Sequence, residues 1–248
     1  MPSAPWTPRH TAAALAGGHL LIAGAPGTGK SRLLNGTLLP ALVRAGDPLL
    51  VIQDPATGHG PTLGLRAATF GREAAVGDLL ARPTLVTFTG THPEREAQAE
   101  RLFADLPAAL AAAPAPAGAR RFLVIDVAPL TPALRSFAPL LRQARSLGCT
   151  LIATCQSPSS LEPGLPALFT SHVAFYHFYK RCLRVMAENV LAATGAEETN
   201  PSGKPTPINR FGQPLATPAS RMVGKLGDLK VGECFLVTPG APYEPLRT

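Results

Sequence analysis

Aromatic residues, paired cysteines and long apolar runs are all scarce in this chain of 248 residues. Aromatics make up 6% of it. The four cysteines form no Cys-x-x-Cys pair and have no histidine at metal-ligand spacing, so neither a zinc module nor a disulfide framework is predicted. No run of about 18 apolar residues is present, so no membrane-spanning helix is predicted. We therefore expect a soluble, cytoplasmic protein.

Apolar residues and basic charge are what the chain does have. Its hydrophobic fraction of 46% and charged fraction of 16% are enough for a substantial core, so global disorder is excluded. The formal net charge is +7. Such an excess suits a polyanion such as nucleic acid, but it is equally compatible with a role in solubility alone.

Short continuous apolar runs alternate with helical patterns along the chain. This alternation predicts an α/β fold with a mostly parallel sheet covered by helices on both faces. We expect residues 1–18 to form a loose arm with a short helix, residues 19–248 one domain, and residues 195–221 a proline-rich loop or insertion within it. The predicted strands are 19–23, 49–53, 84–88, 122–125, 149–154, 172–178 and 233–238, and the predicted helices are 30–44, 93–112, 131–147 and 180–193.

Residues 24–31, Gly-Ala-Pro-Gly-Thr-Gly-Lys-Ser, fit the phosphate-loop pattern G-x-x-x-x-G-K-[ST] between a predicted strand and a predicted helix. Glycines let the backbone curl around phosphates, and the helix start adds its positive dipole end. Lys30 can reach the β- and γ-phosphates and the Ser31 hydroxyl can bind Mg²⁺, so the cofactors expected are ATP and Mg²⁺. The predicted nucleotide-binding residues are Gly24, Ala25, Pro26, Gly27, Thr28, Gly29, Lys30, Ser31 and Arg32.

An acidic residue ends the predicted strand 122–125. Asp126 stands where a phosphate-loop protein holds its second contact to Mg²⁺, usually through water. The next residue is Val127, which cannot accept a proton from the attacking water. Either Asp54, Gln156 or Glu162 takes that task, or hydrolysis is slow.

Two blocks of sequence resemble the FtsK–HerA superfamily of DNA-pumping ATPases. Residues 19–55 carry the phosphate loop and a strand that ends in Asp54-Pro55. Residues 122–157 look like the matching part of type IV secretion coupling proteins, with Arg145 and Gln156 at the family's spacing from the acidic residue. Residues 226–239 are similar to the Gly-Glu turn and the final strand of these ATPases. Two residues depart from the pattern: Val127 stands where many P-loop motors have glutamate, and Ala56 where coupling proteins usually have lysine.

The resemblance implies roles for two further residues. Gln156 would sense the γ-phosphate or the attacking water, and Arg145 would act as an arginine finger in a neighbouring subunit, with Arg142 as the competing candidate. Either arginine could instead be a solvated helix-end residue. Lys30, Asp126, Gln156 and Arg145 are then the catalytic residues. A finger supplied between subunits implies an oligomer, and relatives are typically hexameric rings.

The function that the resemblance implies is ATP-driven movement of double-stranded DNA. Coupling proteins usually carry a membrane anchor and an all-α domain, which this chain does not show, so viral genome packaging is favoured over conjugative transfer. The partners would be DNA and a capsid vertex or secretion-channel protein, in the host cytoplasm or the virion. DNA would contact the loop 195–221, with Lys204, Arg210 and Arg221, or an aromatic strip at 172–180, which is more typical of core.

Two functions of another class remain open. One is a nucleotide-binding regulatory protein with weak hydrolysis, which Val127 favours. The other is a small-molecule kinase, although no acceptor pocket or arginine-rich lid is recognisable.

Overall fold

Side chains of the buried strands alternate between two separate cores. A computed structural model describes residues 3–16, 18–53, 64–70, 76–113, 119–126, 135–156, 158, 161–162, 164–177, 182–188, 218–238 and 245–248. Leu21 and Ala23 belong to one core, whereas Leu20 and Ile22 belong to the other. Because successive side chains of a strand point to opposite faces, a strand that is apolar throughout must be covered on both sides.

Ten strands form one sheet. They are β1 (Ala4–Pro5), β2 (Leu20–Ala23), β3 (Leu49–Gln53), β4 (Arg66–Thr69), β5 (Thr84–Thr87), β6 (Arg121–Asp126), β7 (Cys149–Cys155), β8 (Ser171–Phe175), β9 (Glu233–Val237) and β10 (Pro245–Arg247). Their order across the sheet is β1-β10-β9-β8-β2-β7-β6-β3-β5-β4. Among the described strands, all neighbours are parallel except the two pairs that β9 makes with β8 and β10.

Helices cover both faces of this sheet. They are α1 (Pro8–Ala16), α2 (Lys30–Leu33), a π-helical segment (Leu34–Leu38), α3 (Leu39–Ala45), α4 (Val76–Leu80), α5 (His92–Ala112), α6 (Phe137–Ala144), a short 3₁₀ helix (Pro166–Leu168), α7 (residues 182–188) and α8 (Pro218–Gly227). Apolar residues of α1 to α3 form the core on one face, and those of α4 to α8 form the core on the other. The predicted α/β fold, mostly parallel with helices on both faces, is confirmed. No helix of the described chain has the length and apolarity needed to cross a bilayer.

The π-helical segment has a local cause. Pro40 follows it near the start of α3. Proline has no amide hydrogen and its ring crowds the carbonyl four residues earlier, here that of Gly36, so a regular α-helical turn is disfavoured at this point. The predicted helix 30–44 therefore forms, but with a wider turn in its middle.

Several predicted element boundaries were wrong. Residues 54–82, for which no element is predicted, contain β4 and α4, and residues 239–248, also without a predicted element, contain β10. Residues 218–221 belong to α8 rather than to the predicted loop, because a proline is well tolerated in the first turn of a helix. The rest of that loop, residues 195–217, lies outside the described residues, as does the first part of the predicted helix 131–147.

The segment before β2 is packed on the sheet rather than loose. Ala4 of β1 pairs with Leu246 of β10, and the Ser3 hydroxyl donates to the Glu233 carboxylate at 2.8 Å. Ala14 of α1 is fully buried. Neither a strand of two residues nor a helix of nine is stable alone, so this segment depends on the sheet. The division of the chain at residue 18 stays a prediction.

Two buried histidines make the fold sensitive to mild acid. The pKa values of His19 and His172 are both lowered to about 4, mainly by burial, and the nearby Arg145 contributes to the shift of His19. His19 Nδ1 accepts the Leu151 amide at 3.0 Å, a bond that requires the ring nitrogen to be unprotonated. In the unfolded chain the two rings take up a proton near pH 6.5. Their contribution to the free energy of unfolding is therefore fully present above that pH and is lost as the pH falls toward 4.

We expect the free energy of unfolding to fall by about 4 kcal/mol between pH 7 and pH 5 because of these two histidines, roughly 2 kcal/mol for each. Urea unfolding at the two pH values measures the difference. In His19→Asn the drop should be smaller, whereas in the control His92→Gln, at an exposed position on α5, it should be unchanged. Equal drops in all three proteins would contradict the assignment.

Candidate phosphate-binding site

The loop between β2 and α2 takes a conformation that three of its glycines permit. Gly27 has a φ of 74° and Gly29 a φ of 115°, both in the left-handed region that side-chain-bearing residues avoid. At Gly24, an added Cβ would lie 2.5 Å from Cβ of Phe175. The loop can therefore curl tightly against the sheet and lead directly into α2.

Hydrogen bonds fix this loop to the two strands beside β2. The amide of Gly24 donates to the carbonyl of Cys155 at 3.3 Å, and that of Ala25 donates to the carbonyl of Tyr176 at 3.0 Å. Inside the loop, the buried hydroxyl of Thr28 donates to the Ala25 carbonyl at 2.8 Å. The loop is thus held in shape from both sides and from within.

Lys30 places its positive charge within the curl. Its Nζ donates to the carbonyls of Gly24 and Ala25 at 2.7 and 2.8 Å. Burial lowers the pKa of the Lys30 amine, and nearby Cys155 and Asp126 oppose that shift. A desolvated cation next to the start of a helix is suited to neutralising a phosphate group.

Asp126 ends β6, and neighbouring strands hold its carboxylate. The residue is only 4% exposed. The Thr154 hydroxyl of β7 donates to Oδ1 at 2.6 Å, and the Gln53 amide of β3 lies 3.4 Å from Oδ2. Neither Thr154 nor Gln53 is among the site residues predicted from the sequence. The available signal was a polar residue close to the end of an otherwise apolar strand.

The residues expected to bind Mg²⁺ fit that ion chemically. Ser31 lies in the first turn of α2, and Asp126 offers carboxylate oxygen; hard cations such as Mg²⁺ prefer oxygen ligands. A buried carboxylate whose hydrogen-bond donors are neutral also favours a cationic partner. Within the described residues, no group of three His, Cys, Asp or Glu side chains could hold a metal by itself. Proteins usually bind Mg²⁺ through one or two side chains together with substrate phosphates and water.

The other candidate residues lie in different places. Gln156 directly follows β7, is exposed, and so lies at the edge of the sheet where the loop begins. Its carbonyl is 3.0 Å from Nε2 of His177. Glu162 instead pairs with Arg142 at 3.3 Å, in the last turn of α6. Both side chains of this pair are more than half exposed, at 53% and 56%.

Arg145 lies at the amino ends of the parallel strands, whereas the phosphate loop of the same chain lies at their carboxyl ends. It is exposed at the end of α6, and its guanidinium is 3.0 Å from the position of a Cβ added to Gly18. Gly18 and His19 precede β2, whereas the phosphate loop follows it. The four residues of β2 span about 13 Å, so the structure does not bring Arg145 together with Lys30.

Some predicted residues cannot be placed. Asp54, Val127, Lys204 and Arg210 lie outside the described residues, and nothing is described of the Arg221 side chain. Residues 172–177 of the segment 172–180 are described, and residues 172–175 of them are buried in β8. These four residues follow the core alternative rather than an exposed strip for DNA.

Comparison with solved structures identifies the fold. The chain is similar to the genome-packaging NTPase B204 of Sulfolobus turreted icosahedral virus 2 in complex with AMPPCP, with 14% identity, a TM-score of 0.63, and coverage of 92% of this chain and 96% of that one. It is also similar to the bacterial conjugative coupling protein TrwB, with 15% identity, a TM-score of 0.60, and coverage of 92% and 84%. The fold is that of a P-loop ATPase. No protein-family model and no curated protein sequence matches the chain.

The resemblance to the FtsK–HerA ATPases that the sequence indicated is thus confirmed at the level of the fold. A second TrwB structure, in complex with the GTP analogue GDPNP, shares 14% identity with a TM-score of 0.59 and covers all of this chain and 89% of that one. At 14–15% identity, the TM-scores of 0.59 to 0.63 show a shared fold and nothing finer. The roles of individual residues rest on the geometry of this chain.

Proposed function

We propose that this protein is an ATP-driven motor that moves double-stranded DNA as one subunit of a ring. The observation that carries the proposal is the split arrangement of the site. Lys30 and Asp126 lie at the carboxyl edge of the central strands, and the exposed Arg145 lies at the opposite edge. Each chain would thus carry one part of the site at the carboxyl ends of its strands and the other part at their amino ends. In a ring, the arginine of one subunit would meet the phosphate loop of the next.

Lys30 would neutralise charge on the β- and γ-phosphates of ATP, helped by the start of α2. Ser31 and Asp126 would hold Mg²⁺, which supplies further neutralisation of the phosphate oxygens when bound. Thr154 and Gln53 position the Asp126 carboxylate through the hydrogen bonds described above. Gln156, exposed directly after β7, would contact the γ-phosphate or the attacking water.

Arg145 would complete the site of the neighbouring subunit. A guanidinium at that position stabilises charge on the transferred phosphoryl group, and it makes hydrolysis depend on assembly. We propose a hexameric ring. Arg142 is the weaker candidate because its guanidinium already pairs with Glu162.

Double-stranded DNA is the proposed partner because the similar structures are a DNA-packaging ATPase and a conjugative coupling protein, and because the chain carries a net charge of +7. We place viral genome packaging first, with a capsid vertex as the docking partner. Conjugative transfer through a secretion channel is second, supported by the similar TM-score of TrwB.

A nucleotide-binding regulatory protein with weak hydrolysis is the candidate from another class. Val127 follows Asp126 and cannot accept a proton, and Glu162 is held by Arg142. A turnover rate that duplex DNA leaves unchanged would favour this alternative over the motor.

Duplex DNA is expected to raise the rate of ATP hydrolysis several-fold, and DNA affinity should fall with salt. For about six phosphate contacts, the affinity should drop by about a thousandfold between roughly 50 and 200 mM salt. Phosphate release with and without a 40-base-pair duplex, DNA binding at several salt concentrations, and the mass of the assembly test these expectations. A 6-base-pair duplex is the matched control. Stimulation by a small-molecule acceptor instead, or a flat salt response, would contradict the motor.

A further inference from the structure

The turn of residues 230–232, between α8 and β9, exposes an apolar side chain. Val231 is 76% exposed, and no other large apolar side chain in the described part of the chain is exposed to a comparable degree. A single exposed valine on a protein surface means little by itself. Val231 is of interest because its turn lies next to the phosphate loop.

Hydrogen bonds attach this turn to the phosphate loop. The Gly232 amide donates to the Thr28 carbonyl at 3.0 Å. The Gly232 carbonyl in turn accepts from the amide and the hydroxyl of Thr248, at 2.9 and 3.2 Å. A Cβ added to Gly29 would lie 3.4 Å from Cα of Gly232 and 3.3 Å from Oγ1 of Thr248. The turn therefore lies beside the point where α2 begins.

An ionised carboxylate keeps the turn in shape. Glu233 accepts the Lys230 amide at 2.9 Å and the Ser3 hydroxyl at 2.8 Å. The backbone bond from Lys230 and the Ser3 bond hold the pKa of Glu233 below its usual value. Gly232, with a φ of 83°, allows the sharp bend between Val231 and β9. Val231 is thus held on a rigid turn rather than on a loose loop.

We infer that Val231 forms the binding surface for the nucleoside part of the ligand. This inference rests on the proposed function, since it requires a nucleotide in the loop. With the phosphates in the loop and at the start of α2, the ribose and base extend past the helix start, where the turn lies. A flat heterocycle gains free energy by covering an apolar side chain, and a pre-formed turn adds little ordering cost.

The test compares ATP with inorganic tripolyphosphate, which has the phosphates but no base. In Val231→Ser, ATP affinity should fall about fourfold, the effect of losing roughly one methylene of buried contact. Tripolyphosphate affinity should be unchanged because the phosphate loop is intact. Val231→Leu is the matched control and should bind ATP as tightly as the natural protein. Isothermal titration calorimetry of the three proteins with both ligands measures these affinities.

Three outcomes would overturn the inference while leaving the proposed function standing. They are equal losses for both ligands in Val231→Ser, no loss for either, or a smaller assembly mass with unchanged ATP affinity. The last would assign Val231 to a contact between subunits. If the natural protein binds neither ATP nor tripolyphosphate, the proposed function itself is wrong, and the two failures are therefore distinguishable.

Discussion

Replacing Lys30 by alanine is expected to lower kcat for ATP hydrolysis by about a thousandfold. The lysine amine lies within hydrogen-bond distance of the Gly24 and Ala25 carbonyls, inside the curl of the loop. When a phosphoryl group is transferred, charge develops beside this cation, and alanine leaves nothing there to balance it. Steady-state phosphate release with MgATP and duplex DNA measures the loss.

The matched control is Arg44→Ala. Arg44 is an exposed cation at the far end of the same helical segment, where it donates to the Pro40 carbonyl at 3.1 Å. Its replacement removes the same formal charge from the protein but not from the loop, so the rate should change by less than about twofold. If Lys30→Ala kept more than about a tenth of the natural rate, Lys30 would not be the phosphate-binding cation.

Replacing Arg145 by alanine should lower the hydrolysis rate of the assembled ring by about a thousandfold, the lower end of the effect of an arginine finger. Nucleotide affinity of the isolated subunit should not change, because Arg145 lies at the other edge of the sheet from the phosphate loop. Nucleotide titration and phosphate release on the same preparation separate the two quantities.

Mixing two inactive variants gives a sharper result. A ring of Lys30→Ala and Arg145→Ala subunits has some interfaces where an intact lysine meets an intact arginine. Random mixing in equal amounts leaves about a quarter of the interfaces intact, so activity should reappear at up to that fraction. Arg142→Ala, three residues earlier and also exposed, is the control and should stay active. No recovery on mixing, in a preparation whose mass shows rings, would contradict a finger supplied between subunits.

Features that depend on a short local sequence pattern could be predicted from the sequence. The phosphate loop follows from its fixed glycines and lysine, and Asp126 from an acidic residue at the end of an apolar run. Those signals are local, because the conformation they require is decided within a few residues. The all-apolar runs likewise predicted strands buried on both faces.

Features that depend on which strands are neighbours could not be predicted. Thr154 and Gln53 contact Asp126 because β7 and β3 flank β6. The order of strands in a sheet depends on how distant segments pair, so no single segment of the sequence indicates it. For the same reason β10 was missed, since three residues form a strand only where β1 and β9 supply partners on either side. The opposite placement of Arg145 also follows from the direction in which α6 returns across the sheet.

The position of β10 also bears on how the molecule is assembled. Residues 245–248 emerge from the ribosome after every other described element, yet they pair with residues 4–5 and lie against Gly29. The bond between Ser3 and Glu233 joins residues 230 positions apart. Contacts of such high sequence separation slow folding, because a long loop must close before they can form. The nascent chain can therefore build its central strands early, whereas the contacts that residues 245–248 make with β1 and beside Gly29 form only after those residues have been synthesised.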